Sequence, residues 1–527
     1  MNPSSVASAE FNLNGTPRRC QESRAGMRRV VPWGRLIATA RLLRIVLAGS
    51  SLGLLGACHV FKPVGPDFQA PAVPLPAAWS SAAEVQAPAG LDEAAFWAQF
   101  QDPLLQSLLA EADANNLDLA STATQVAAAE GVLRATQGGT LPSVALGADS
   151  TYTRPDIASR LRGEFEGSTT HQVLAQSSWE LDFWGKQRRA VEADTASLQS
   201  AQQRMAWARL SVRASVASVY VQWRLAQTRL AVAQSNLAQQ QENARIARVR
   251  FQAGASSELD WRQAQAQLAQ TAAQVPGLES AVAQNSHALA VLIGQSPATL
   301  VARLQAGREP MALPAEPQRW PQSAPADWLR RRPDVSQALS AAATQSARIG
   351  QAEAALYPSF SLSGALGVSG SGSAQELFSW DSRLVTAGLS FSLPLFDRGR
   401  LKAQVQVQDA VFRQALAAYQ NQVLKAQQEV EDAFTLLRNS REQARLTQDA
   451  QTAAHRAAEL AMSRYRAGQV DYLTVSSAEQ SRLQTADAAA QARAAVLQAV
   501  IGVYRAMGGT WPDAQAAARS EALRSNG

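Results

Sequence analysis

A chain of 527 residues with only two cysteines, Cys20 and Cys58, has no disulfide framework, and it contains no CxxC pair. The formal charge of +6 does not argue for nucleic acid: residues 1–57 hold eight arginines against two glutamates, and residues 58–527 are neutral, with 41 basic and 41 acidic side chains. No run after Cys58 approaches 18 consecutive apolar residues, so any later membrane crossing has to use paired strands.

Residues 1–57 read as a lipoprotein export signal. Arg28, Arg29, Arg35, Arg41 and Arg44 precede the apolar run IVLAGSSLGLLGA, which ends in small residues at Cys58. Met27 opens a more ordinary signal than Met1, so a start at Met27 is expected. Leu55-Gly56-Ala57-Cys58 resembles a bacterial lipobox, in which the cysteine is lipidated and becomes the first mature residue. A buried segment with a small apolar cysteine is the alternative. The order of charge, then apolar run, disfavours it. After Cys58 the stretch 58–100 reads HVFKPVGPDFQAPAVPLPAAW, and repeated prolines exclude a helix interior. A lipid-anchored extended tether is expected there.

The body is duplicated. Phe251-x-Ala-Gly254 returns as Tyr465-x-Ala-Gly468, Leu259 as Leu473 and Gly294 as Gly508, each 214 residues later. Residues 101–295 form a first repeat and 334–510 a second. A proline-rich linker spans 296–333, and a tail follows over 511–527. Each repeat has the order helix, two strands, very long helix, glycine corner, helix. Residues 186 to about 250, and 400 to 467, lack proline and glycine. Leu416, Tyr419, Val423, Ala426, Val430, Ala433 and Leu437 follow the 3-4 alternation of a coiled-coil seam. Gly254 and Gly468 are the expected hairpin corners, where a helix end needs positive φ.

Strands are expected at about 141–153, 169–183, 358–369 and 384–396. Thr169, His171, Val173, Ala175, Ser177 and Trp179 share one face, and Ala387, Leu389, Phe391, Leu393 and Leu395 share another. Such alternation fits a membrane barrel or a soluble sheet with one covered face. The export signal tilts the reading toward the membrane. Four strands cannot close a barrel, so other copies have to complete the edges. The intervening loops, about 154–168 and 370–383, read as hairpin ends without an assigned ligand.

Enzyme chemistry finds no support. The four histidines show no HExxH or other close ligand spacing, and GVSGSGS at 367–373 lacks the layout of a phosphate loop. No catalytic residue, cofactor or metal site is expected.

In their order, several motifs resemble the outer membrane factors of tripartite efflux systems, the TolC-like family, in its lipidated OprM-like and NodT-like branch. They are WELDFWGKQRR at 179–189, RRRPDV at 330–335, ARIGQAEAALYPSFSLSGALG at 347–367 and LPLFDRGR at 393–400, with the corners RFQAG at 250–254 and RYRAG at 464–468. The resemblance implies a mixed α/β membrane protein. Three chains would build a twelve-stranded transmembrane β-barrel, four strands per chain, continued by a long periplasmic α-helical barrel. It also implies a channel without covalent chemistry in the outer membrane. The implied partners are a homotrimer, a periplasmic adaptor, an inner membrane pump of RND or ABC type, outer membrane lipids, and small-molecule or metal-ion export substrates. Leu473 matches a pore-narrowing leucine. Ser477 stands where an acid commonly lines the closed tip, and Asp471 is a nearby substitute. Coiled-coil packing is the alternative for Leu473, and a helix cap for Asp471. A lipid-anchored scaffold or adhesin without a pore is the rival function. It explains the duplicated strands less well.

Overall fold

Two helices of 67 residues each dominate the architecture, and each starts 214 residues from the other. The computed structural model describes residues 62–72, 93–154, 157–162, 167–306, 313–318, 329–371, 377 and 379–509. The chain divides into Met1–Val60 and Phe61–Gly527. The first unit lies outside the described residues, and with it the signal and Cys58. So does the tail 511–527.

The second unit begins with α1 (Glu93–Ala98), α2 (Pro103–Asn115) and α3 (Leu117–Gly138). Then come β1 (Ser143–Thr153), the single turn α4 (Ile157–Leu161) and β2 (Ser168–Leu181). The long α5 (Lys186–Gln252) and α6 (Glu258–Leu292) form a helical hairpin. After α7 (Pro297–Ala306) the plan repeats as α8 (Pro333–Ala354), β3 (Ser359–Ser371), β4 (Arg383–Ser392), α9 (Arg400–Arg466) and α10 (Tyr472–Ala506). At 1.5 Å per residue, α5 and α9 are each about 100 Å long.

The duplication extends to matched anchors. Asn116, before α3, donates through Nδ2 to the Leu292 carbonyl at the end of α6, at 2.7 Å. Arg332, before α8, donates through Nη1 to the Ala506 carbonyl at the end of α10, also at 2.7 Å. Each closes an orphan carbonyl at a helix end. Arg332 is 1% exposed and also binds Asp334 at 2.7 Å and Glu429 at 2.6 Å. The RRRPDV motif is thus a staple, with Pro333 at the first helical position.

The main core lies where α1 and α2 pack on α5 and α10. Phe96 stacks on Tyr504 with centroids 5.1 Å apart, and Trp97 meets the same ring at 4.7 Å. Asp102 caps α2 by accepting from Leu104 N and Leu105 N, and it also accepts from the Tyr220 hydroxyl at 2.6 Å. The seam residues Tyr419, Val423, Ala426, Val430 and Leu437 are buried.

The end of the expected tether is not extended: α1 is helical, and Phe96 and Trp97 are buried. Its beginning is pinned. Arg189, buried on α5, donates to the Val64 and Gly65 carbonyls at 3.1 Å and to Asp67 at 2.8 Å. Gly65 crosses Gly350 of α8 so closely that a Cβ on Gly65 would lie 2.3 Å from Gly350 Cα. Residues 62–68 therefore clasp both repeats, with Phe68 edge-on to Phe412.

The strands form one antiparallel sheet in the order β1-β2-β3-β4. Its register aligns Leu146, Ala175, Leu366 and Val385 in one row across all four strands. The next row is Ala145, Gln176, Ala365 and Thr386, on the other face. The expected reach of the fourth strand to residue 396 is corrected: β4 ends at Ser392. Pro394 lacks the N–H that a ladder needs. In turn, β3 runs on to Ser371, into the glycine-serine stretch read as hairpin end.

Candidate functional site

Two places carry the chemistry a channel needs: the faces of the sheet and the free ends of the helical hairpins. The row-by-row register puts Val144, Leu146, Leu362, Leu366, Val385 and Leu389 on one face. Leu146 is 77% exposed, Val385 74% and Leu389 67%. The opposite face carries mostly serine, threonine, glycine and glutamine, with Leu174 and Leu384 among them, and Ser143, Ser178, Ser363 and Gly388 form one cross-strand row. An apolar outside and a polar inside is the pattern of a strand pair between lipid and water. Among the described residues the outer strands β1 and β4 each have one neighbour, which leaves both sheet edges open.

The hairpin ends are built alike. At the end of α5, Gly254 has φ +73° and its N–H binds the Phe251 carbonyl, while Ala255 N–H reaches the Arg250 carbonyl at 2.8 Å. At the end of α9, Gly468 has φ +73° and Gln469 N–H reaches the Arg464 carbonyl at 2.9 Å. Both are Schellman closures. A Cβ at either glycine would meet nothing within 4 Å, so glycine is required by backbone angle and not by space.

The following helices then start at caps 214 residues apart, Ser257 for α6 and Asp471 for α10. Asp471 accepts from Thr474 Oγ1 at 2.7 Å and Thr474 N at 3.0 Å. These two bonds, the hydroxyl one foremost, hold its carboxyl below the usual range. The helix-cap role considered from sequence is thus the role its carboxylate has in the chain. Just after it, Tyr472 and Val475 are buried, whereas Leu473 is 58% exposed and Ser477 is exposed. Leu473 therefore does not pack into the core of its own chain.

A small core joins the two hairpin ends: Ala247, Ala264, Ala461, Tyr465, Tyr472 and Val475. Burial pushes the Tyr472 hydroxyl up to about 12. Arg250 of α5 donates through Nη1 to the Tyr465 carbonyl of α9 at 2.6 Å, with its guanidinium 4.6 Å from that ring's centroid. Further from the corner, Arg482 of α10 donates to Asn236 Oδ1 at 2.8 Å and Gln239 Oε1 at 2.6 Å, both on α5. In the sequence Arg250 and Tyr465 stand only as letters of the corner motifs, and their pairing is not spelled out. Their recurrence beside matched glycines was the available signal.

Comparison with known proteins agrees with this geometry. The family described as outer membrane efflux protein matches residues 108–295 and 324–509. The pyoverdine export outer membrane protein OpmQ of Pseudomonas putida is 32% identical over 450 residues, covering 83% of this chain and 92% of OpmQ. Nodulation protein T of Rhizobium leguminosarum bv. trifolii is 29% identical over 422 residues, 79% of this chain and 88% of the relative. The solved structure of the outer-membrane channel OprN superposes with a TM-score of 0.79 at 32% identity, covering 85% of this chain and 99% of OprN.

Proposed function

The chain belongs to the outer membrane efflux protein family, and from that premise we propose that it is the passive outer duct of a tripartite pump. Its fold is that of an outer membrane channel, with a barrel of strands in the membrane and helices reaching into the periplasm. Three copies supply twelve strands and close the edges that β1 and β4 leave open. A periplasmic adaptor and an inner membrane pump of RND or ABC type deliver small molecules or metal ions to the helical end. Cys58 carries the lipid anchor. The observation that carries the reading is the two-faced sheet running directly into 67-residue helices. A scaffold without a pore has no use for a sheet with a polar inner face.

The resting closure lies at the hairpin ends. Leu473, exposed within its own chain, meets its copies in the trimer and forms an apolar constriction that excludes water and ions. Ser477 adds no charge there, and Asp471 is engaged as a cap. Planar-bilayer recording tests this. Leu473→Ser should raise basal conductance or open probability, and Ser477→Asp should raise cation selectivity and sensitivity to divalent ions. Trimers of both variants that conduct like the wild type would place the constriction elsewhere.

A further inference from the structure

The sheet register assigns a face to every strand residue, and the inner face is electrically one-sided. Among its described strand positions it carries Asp149 and Glu180 and no lysine or arginine. Glu180 lies at the helical end of β2 and is paired with Lys186 at 2.9 Å. Asp149 lies within β1, opposite Gln172, and accepts from Gln172 Nε2 at 2.9 Å and from Thr151 Oγ1 at 3.4 Å. Both donors are neutral, so they orient the carboxylate and leave its charge. The strand-borne cation Arg383 lies on the opposite face, aligned with Ala148 through Val173 and Val368, and its guanidinium sits 3.2 Å from the Trp380 ring centroid.

We propose that Asp149 is the charge-selecting residue of the pore, placed in the strand section rather than at the hairpin ends. This rests on the channel reading above. In a three-chain barrel, Asp149 recurs as a ring of three carboxylates around the lumen, held in position by Gln172. The ring raises the local concentration of cations and lowers that of anions. With three charges about 10 Å from the axis, screened Coulomb attraction gives a cation-over-anion preference of roughly fourfold at 0.1 M salt. At 1 M salt the preference fades.

The test is the reversal potential of the full-length trimer in planar bilayers under a potassium chloride gradient. The wild type should prefer cations. Asp149→Asn should bring the permeability ratio close to one, and Asp149→Lys should reverse it toward anions. Asp149→Cys supplies an independent reading. A positively charged methanethiosulfonate reagent should modify it faster than a negatively charged one, each with a step in current. A conducting wild type whose reversal potential survives both Asp149→Asn and Asp149→Lys overturns the ring and leaves the channel standing. An Asp149→Cys trimer that neither reagent modifies also overturns it. Inserted trimers that pass no current, Leu473→Ser included, overturn the channel reading itself.

Discussion

Partly buried charge in this protein is used to join helices. Arg213 on α5 binds Asp113 of α2 and, at 2.6 Å, Glu93 of α1. Arg209 reaches the same Asp113 at 3.0 Å, and the Tyr504 hydroxyl of α10 donates to Glu93. Burial is the largest influence on Asp113 and pushes its carboxyl up, but the hydrogen bonds and charges of Arg213 and Arg209 together outweigh it and hold the carboxyl below its ordinary value. A lowered native pKa contributes stability above the unfolded value near 4 and loses it as pH falls through the native one. The detergent-solubilised protein should therefore melt at lower temperature as pH drops below about 4. Asp113→Asn should cost about 2 kcal/mol at neutral pH and flatten that acid dependence. Thermal melts followed by circular dichroism between pH 7 and pH 3 check both. An Asp113→Asn melt that keeps the full acid sensitivity would assign it to other carboxylates.

For the elements, the corner that ends each long helix is the sensitive point. Gly254 and Gly468 share φ +73° with open space around the missing Cβ, so substitution strains the backbone without a clash. A β-branched residue there costs roughly 1–2 kcal/mol per site, whereas asparagine tolerates the left-handed region better. Within the proposed pump, Gly254→Val with Gly468→Val should weaken adaptor cross-linking and efflux while the trimer still inserts. The paired asparagine variant should keep most of both. Cross-linking of the valine pair at wild-type level, with normal efflux, would remove the corners from the coupling. The remote strands should be unaffected, because their register depends on pairing about a helix length away.

Across the whole molecule, two attachments to the membrane are proposed, an acyl anchor at Cys58 and the barrel. They differ in strength. Acyl chains bind in proportion to buried methylene, whereas a closed barrel satisfies every strand within the bilayer. Cys58→Ser should abolish lipid attachment at that residue, read as loss of the acyl mass at the N-terminus. Localisation should weaken, yet trimers should still insert. A wild-type N-terminus that is unmodified, or cut at another residue, would remove the anchor from the proposal.

Much of this was legible in the sequence because its causes are local. Helices without glycine or proline, strands of period two and glycines at helix ends follow from what neighbouring residues can do. The constant 214-residue offset survives in the structure as equal helix lengths and matched caps. Tertiary structure alone decided which strand faces coincide. A slip of one residue in register would move Asp149 from the inner to the outer face without altering any local pattern. It also decided that Arg250 holds Tyr465 across 215 residues and that Arg189 clasps Val64 across 125. Both contacts join residues remote in sequence. A chain has no spacing rule for those, because they are set by how completed elements pack.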